Sequence, residues 1–93
     1  MIHKIEIHVA DVPGALNRIV TLISRRGYNI TYLKTVPADR GLYVVYVHVT
    51  CGEKSLEQIA LQIGKLIDVM NVRITGHISS IEEYKRGEYG PDL

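Results

Sequence analysis

Asp11-Val-Pro-Gly-Ala-Leu-Asn-Arg-Ile-Val-Thr-Leu-Ile-Ser-Arg-Arg-Gly-Tyr-Asn29 holds in one run a strand end, a tight turn, a complete helix and the start of the next strand. Pro13 suits the first helical position, where its missing N–H is not needed, and Gly14 lets another group approach the backbone. Leu16, Ile19, Val20 and Ile23 recur at helical spacing, so a helix over 14–26 lays an apolar stripe on whatever lies beneath it. Leu22 falls off that stripe and is expected to face a partner. Arg25 and Arg26 oppose the helix dipole in the last turn, and Gly27 is a natural left-handed stop. The helix start offers free N–H groups at Gly14, Ala15 and Leu16, flanked by the Asp11 carboxylate and the Asn29 amide.

Working outward, residues 2–9 alternate from Lys4 on, with Ile5, Ile7 and Val9 on one face and Lys4, Glu6 and His8 on the other, as a half-buried strand requires. Residues 29–36 are rich in β-branched and aromatic types and end at Pro37. Pro37-Ala-Asp-Arg-Gly41 then reads as a hairpin loop that pairs this strand with the next. Residues 42–50 are apolar on both faces and predict a central strand. Cys51-Gly-Glu-Lys54 is a turn. Ser55 with Gln58 forms a capping box, followed by Leu56, Ile59, Ile63, Leu66 and Ile67 along a second amphipathic helix. Gly64 weakens that helix by about 1 kcal/mol relative to alanine and marks close packing. Residues 69–78 return to strand, with Val72 and Ile74 inward and Arg73, Thr75 and His77 outward.

The order βαββαβ predicts an α+β, ferredoxin-like domain over 1–78: a four-stranded antiparallel sheet with two helices on one face. Residues 79–93, polar with two glycines and a proline, are expected to form a mobile tail. Ninety-three residues make one domain with little margin, so dimerisation would help it. A formal charge of +1 gives no basic excess for nucleic acid or acidic lipid. The single cysteine, Cys51, excludes an internal disulfide and a cysteine metal cage, and fits a reducing compartment. No apolar run reaches the roughly 20 residues of a membrane span, and the N-terminus lacks a signal-peptide core, so a cytoplasmic protein is expected.

Catalytic chemistry finds little support. His8, His48 and His77 are expected on the outer sheet face, but no carboxylate or cysteine joins them at ligand spacing, so they read as solvated or interface histidines rather than metal ligands. Cys51 has no general base within sequence reach. No nucleophile–base set, paired catalytic carboxylates or phosphate-binding glycine motif occurs, so neither an enzyme nor a cofactor is expected. Arg40-Gly-Leu-Tyr-Val-Val-Tyr-Val47 sits where RNA-recognition domains carry their basic-glycine-aromatic signature, yet Leu42, Val44 and Val47 replace the stacking rings. The first loop is the better site. A free amino acid needs anion donors beside an acceptor; the helix start supplies the donors, Asp11 a charge for the ammonium group, and Asn29 an amide that serves either group. The same two side chains are equally suited to capping the turn and the strand start.

Asp11-Val-Pro-Gly-Ala-Leu-Asn-Arg-Ile19, Ser24-Arg-Arg-Gly-Tyr-Asn-Ile30 and Lys65-Leu-Ile-Asp-Val69 together resemble the regulatory small subunit of acetohydroxyacid synthase (acetolactate synthase), specifically its N-terminal ACT domain. The resemblance covers roughly residues 3–75. It implies a βαββαβ domain that pairs with a second copy through a continuous sheet. It also implies that valine, or a related branched-chain amino acid, binds between the two copies. The positions carried over are Asp11, Gly14, Ala15, Leu16 and Asn29, with Ile30 from the partner chain. The family usually has asparagine where this chain has Asp11. Its third strand typically opens Leu-Ser-Arg-Met-Thr, where this chain has Leu42-Tyr-Val-Val-Tyr46. Most members continue into a second domain, so a short small-subunit variant or a free-standing ACT protein is expected.

The resemblance thus implies a non-catalytic regulatory subunit that modulates the catalytic subunit of acetohydroxyacid synthase. Two other functions fit the same residues: a stand-alone amino-acid-sensing ACT module acting on another enzyme or regulator, and a ligand-free interaction module using Tyr32, Val44 and Tyr46 on the outer sheet face.

Overall fold

The structure, a computed structural model, describes residues 1–50 and 52–78; Cys51 and the 79–93 tail lie outside the described residues. Six elements follow in the expected order: β1 (Ile2–Ala10), α1 (Ala15–Arg25), β2 (Asn29–Pro37), β3 (Leu42–Thr50), α2 (Leu56–Gly64) and β4 (Val69–Ile78). The strands form one antiparallel sheet in the order β2-β3-β1-β4, which is the ferredoxin-like arrangement. β1 and β3 are central, as the two apolar faces of 42–50 required, and β2 and β4 are the edges. Both helices cover one face. Ile5, Ile7 and Val9 of β1 and Val45, Val47 and Val49 of β3 pack there against Ala15, Ile19 and Ile23 of α1 and Leu56, Ile59 and Ile63 of α2.

Helix α1 departs from its expected start. The Val12 carbonyl accepts the Ala15 N–H at 3.2 Å across Pro13-Gly14, and Gly14 has φ +85°, so Pro13 sits in a tight turn and the helix begins at Ala15. At its other end the Tyr28 N–H reaches the Ile23 carbonyl and the Gly27 N–H the Ser24 carbonyl. With Gly27 at φ +82° this is a Schellman stop. Tyr28 is then buried, and its hydroxyl donates to the Ser55 carbonyl at 2.6 Å, locking the α1 exit to the α2 entrance. Leu22, expected to face a partner, packs on the margin of the core.

Helix α2 begins as expected: the Ser55 side chain accepts the Gln58 N–H at 3.3 Å. It ends at Gly64, a turn earlier than the apolar spacing suggests. Leu66 still packs on the core, but Ile67 is 89% exposed. Gly64 faces Val72 of β4 at ordinary contact distance, so its close approach is to the sheet.

The histidines need correction. β4 shifts register against β1 twice, so Thr75 and Met70 are extra residues in the ladder. The shift at Thr75 pairs His77 with His3 and turns His77 to the helix side, not outward. Ile74 pairs with Ile5 and so faces the helix side as expected, though at the sheet edge it stays 37% exposed. His48 does lie on the face opposite the helices, but it is 1% exposed, with its ring 4.6 Å from that of Tyr32. His8 also keeps the expected face, half-buried and bonded to Glu6 at 2.9 Å.

Two outcomes follow. Gly27→Ala forces a β-carbon into the left-handed region and within 2.9 Å of the Lys54 side chain, so urea unfolding should show a loss of about 1 kcal/mol. Burial, with Lys4 second, pushes the His48 imidazole down to about 4. The unfolded chain, with histidine near 6.5, binds the extra proton first, so stability falls as pH drops from about 6.5 through 4. The loss should reach on the order of 2–3 kcal/mol, and His48→Gln should flatten most of that dependence in urea melts across this range.

Candidate functional site

The turn that ends β1 builds the site. The Asp11 N–H is held by the Gly41 carbonyl at 2.9 Å, so the β1 exit and the β2–β3 hairpin meet at one end of the sheet. A cleft of about 330 Å³ opens there, lined by Asp11, Leu16, Thr35, Pro37 and Tyr43. The register explains the company. Thr35 and Pro37 pair with Val45 and Tyr43, which share the helix side of the sheet, but β2 runs out beyond the cover of α1. Thr35 and Pro37 are exposed in consequence.

The donors differ from those expected. Ala15 is buried in the core and its N–H is bound to Val12, so it shapes the turn and offers no hydrogen bond. The first helical bond runs from Arg18 N–H to the Gly14 carbonyl. The outward N–H groups at the helix start are therefore those of Gly14, Leu16 and Asn17.

Two residues that local sequence reading missed complete the surroundings. The Arg18 guanidinium is gripped by Asp68, through Nε at 2.9 Å and through a second contact from Nη2, and it lies so close over the turn that a β-carbon on Gly14 would fall 2.8 Å from its Nη1. A cation at a helix start opposes the dipole, and the Asp68 carboxylate offsets that cost. Asp68 is also fastened to β1, its carbonyl accepting the Ala10 N–H at 2.8 Å. The Tyr43 hydroxyl is pushed up by burial, with the charges of Asp11 and Asp68 adding to the effect and Arg18 opposing it. Asp11, Arg18, Tyr43 and Asp68 thus share one electrostatic neighbourhood, in which a group bearing both charges can find a partner for each.

Asn29 and Ile30 do not join this cluster within one chain. Asn29 pairs with Thr50 while Ala10 pairs with Leu42, so Asn29 and Asp11 are at opposite ends of β3, about 25 Å apart. The amide beside Asp11 that the sequence suggests is therefore not supplied by the same chain. Ile30 packs on the core and Asn29 is exposed at the edge.

Among the described residues no three histidine, cysteine, aspartate or glutamate side chains converge as a metal cage would need. No helix of the described residues is long and apolar enough to cross a membrane. A larger hollow of about 550 Å³ on the outer sheet face is bordered by Lys4, Glu6, Lys34 and Arg73, so that face is more charged than Tyr32, Val44 and Tyr46 imply.

Residues 5–71 match the model of the AHAS small subunit-like ACT domain. The acetolactate synthase small subunit of Buchnera aphidicola subsp. Schizaphis graminum is 44% identical over 70 residues, which are 74% of this chain and 44% of that one. The acetolactate synthase isozyme 3 small subunit of Escherichia coli K12 is 43% identical over 70 residues, 74% of this chain and 43% of that one. Among solved structures, the acetolactate synthase small subunit from Thermotoga maritima superposes with a TM-score of 0.75 at 28% identity, over 85% of this chain and 50% of that one. The chain spans about half the length of these relatives. The match over residues 5–71 and the identity to these small subunits lead to one conclusion: this chain belongs to the family of AHAS small subunit-like ACT domains.

Proposed function

We propose that this domain is the amino-acid-sensing part of a non-catalytic regulatory subunit of acetohydroxyacid synthase. In this reading two copies pair through their β2 edges, and valine or a similar branched-chain amino acid binds between them. Its occupancy modulates the catalytic subunit.

The observation that carries the proposal is the split of the expected site between the two ends of β2. Asp11 and the helix start sit beside Thr35 and Pro37, while Asn29 and Ile30 sit at the other end of the same nine-residue strand. Antiparallel pairing of β2 with a second β2, centred near Leu33, reverses one strand against the other. It brings Asn29 of the partner subunit and Ile30 of the partner subunit to the Thr35–Pro37 end. One site then contains every expected residue, twice per dimer.

The edge suits this use. From Tyr32 to Pro37 the β2 ladder is regular, and Leu33 is 38% exposed on the helix side. β4, bulged twice, is a poorer template for edge pairing. In the assembled site the Gly14, Leu16 and Asn17 N–H groups and Arg18 receive the ligand carboxylate, and Asp11 holds the ammonium group. Leu16 and Ile30 of the partner subunit supply an apolar wall for a branched side chain.

Calorimetry with valine, leucine and isoleucine should give saturable heat for at least one, and silence with all three sinks the ligand reading. Gly14→Asp strains a left-handed position and puts a carboxylate beneath Arg18, so it should abolish that heat. Leu33→Lys should leave the circular dichroism spectrum unchanged, shift sedimentation from dimer to monomer, and remove ligand binding with it. A wild-type monomer that binds valine with full affinity would exclude the shared site. Regulation is tested by adding the protein, with and without valine, to an acetolactate synthase catalytic subunit; no change in rate or association favours a sensor for another enzyme.

A further inference from the structure

Away from the first loop, at the opposite end of the sheet, His3 of β1 and His77 of β4 face one another as a cross-strand pair. Their Nδ1 atoms are 2.6 Å apart and their rings stand nearly perpendicular, at 88°. This contact exists because of the Thr75 bulge: without the extra residue, His77 would point to the other face of the sheet. Two imidazoles whose Nδ1 atoms meet in this way share one proton, donated by one ring and accepted by the other. That proton occupies the place where a metal ion would accept both lone pairs.

We infer that His3 and His77 form a two-imidazole chelate for a divalent transition metal of the zinc type. A tetrahedral ion bound about 2.0–2.1 Å from each nitrogen needs the two nitrogens roughly 3.3 Å apart, so the rings have only to separate slightly as the proton leaves. Imidazole nitrogens suit zinc, copper and nickel, and solvent supplies the remaining ligands. His77 is exposed and His3 half-buried, which leaves an entry path from water. The Glu57 carboxylate, in the first turn of α2, is close enough for its charge to act on both rings, and it favours a cation there. The His3 imidazole is held below its ordinary value by burial, by His77 and by the N-terminal ammonium group. The bound ion would tie the start of β1 to the end of β4, residues 74 apart in the chain. The site is independent of the amino-acid cleft.

Zinc chloride titrated into the full chain at neutral pH should bind with a stoichiometry of one ion per chain and raise the thermal midpoint, more so at higher zinc concentration. His3→Ala and His77→Ala should each weaken binding by about tenfold or more and remove the thermal shift, because losing one ring abolishes the chelate. His8→Ala, on a ring bonded to Glu6 on the outer face, should change neither reading. Binding should weaken on acidification, because protons compete with the metal for the ring nitrogens. Absence of saturable zinc binding by the wild-type chain overturns the inference. So does undiminished binding by His77→Ala, which would assign the ion to His3 with the N-terminal amine.

Discussion

The chain must leave β1 and reverse onto the helix layer within four residues, and the hydrogen bond from Ala15 to Val12 across a left-handed Gly14 is what accomplishes it. An L side chain at Gly14 would meet both the strain of φ +85° and the guanidinium of Arg18. Because the reversal is so tight, Ala15 drops straight into the core and sets the phase of α1, so Ile19 and Ile23 land on the β-sheet valines. The same geometry leaves the next N–H groups pointing outward beside Asp11. Core packing and the candidate site are therefore two results of one turn, and a substitution there cannot alter one without disturbing the other.

Much of this was legible from local pattern. Alternation in β1, the two apolar faces of 42–50, the Ser55 cap and the Gly27 stop each depend on neighbours within a few residues, and the structure keeps all four. What failed depends on partners distant in sequence. Asp68 grips Arg18 from fifty residues away, a partnership that no local pattern announces. The bulges of β4 invert the alternation that a period of two projects onto His77, and nothing within 69–78 announces them. The burial of His48 is not legible locally, because alternation assigns a face and not its degree of cover. Local reading places Asn29 beside Asp11 because both flank the same helix, yet the helix carries its two ends to opposite ends of the sheet.

That last point also bears on the shape of the cleft, which is open along one side. The cleft at Asp11 is walled by the helix start and the hairpin, and its remaining side is the open edge of β2. Edge strands are commonly blunted by charge, proline or distortion. Here the distortion is concentrated in β4, while β2 carries its proline at the last position and stays regular through its second half. The two edges of one sheet have thus been given different characters, one suited to pairing and one to closure.

The strand order has a kinetic consequence as well. β1 is the earliest of the six elements, yet it lies in the interior of the sheet, between β3 and β4. During synthesis its flank toward β4 stays open until the last strand emerges, so Ile5 and Ile7 lack neighbours that Ile74 and Val72 supply. A nascent or truncated chain ending before Val69 presents an unpaired apolar ladder, the kind of surface that recruits other chains. Productive folding therefore depends on β4 arriving before another polypeptide occupies its place.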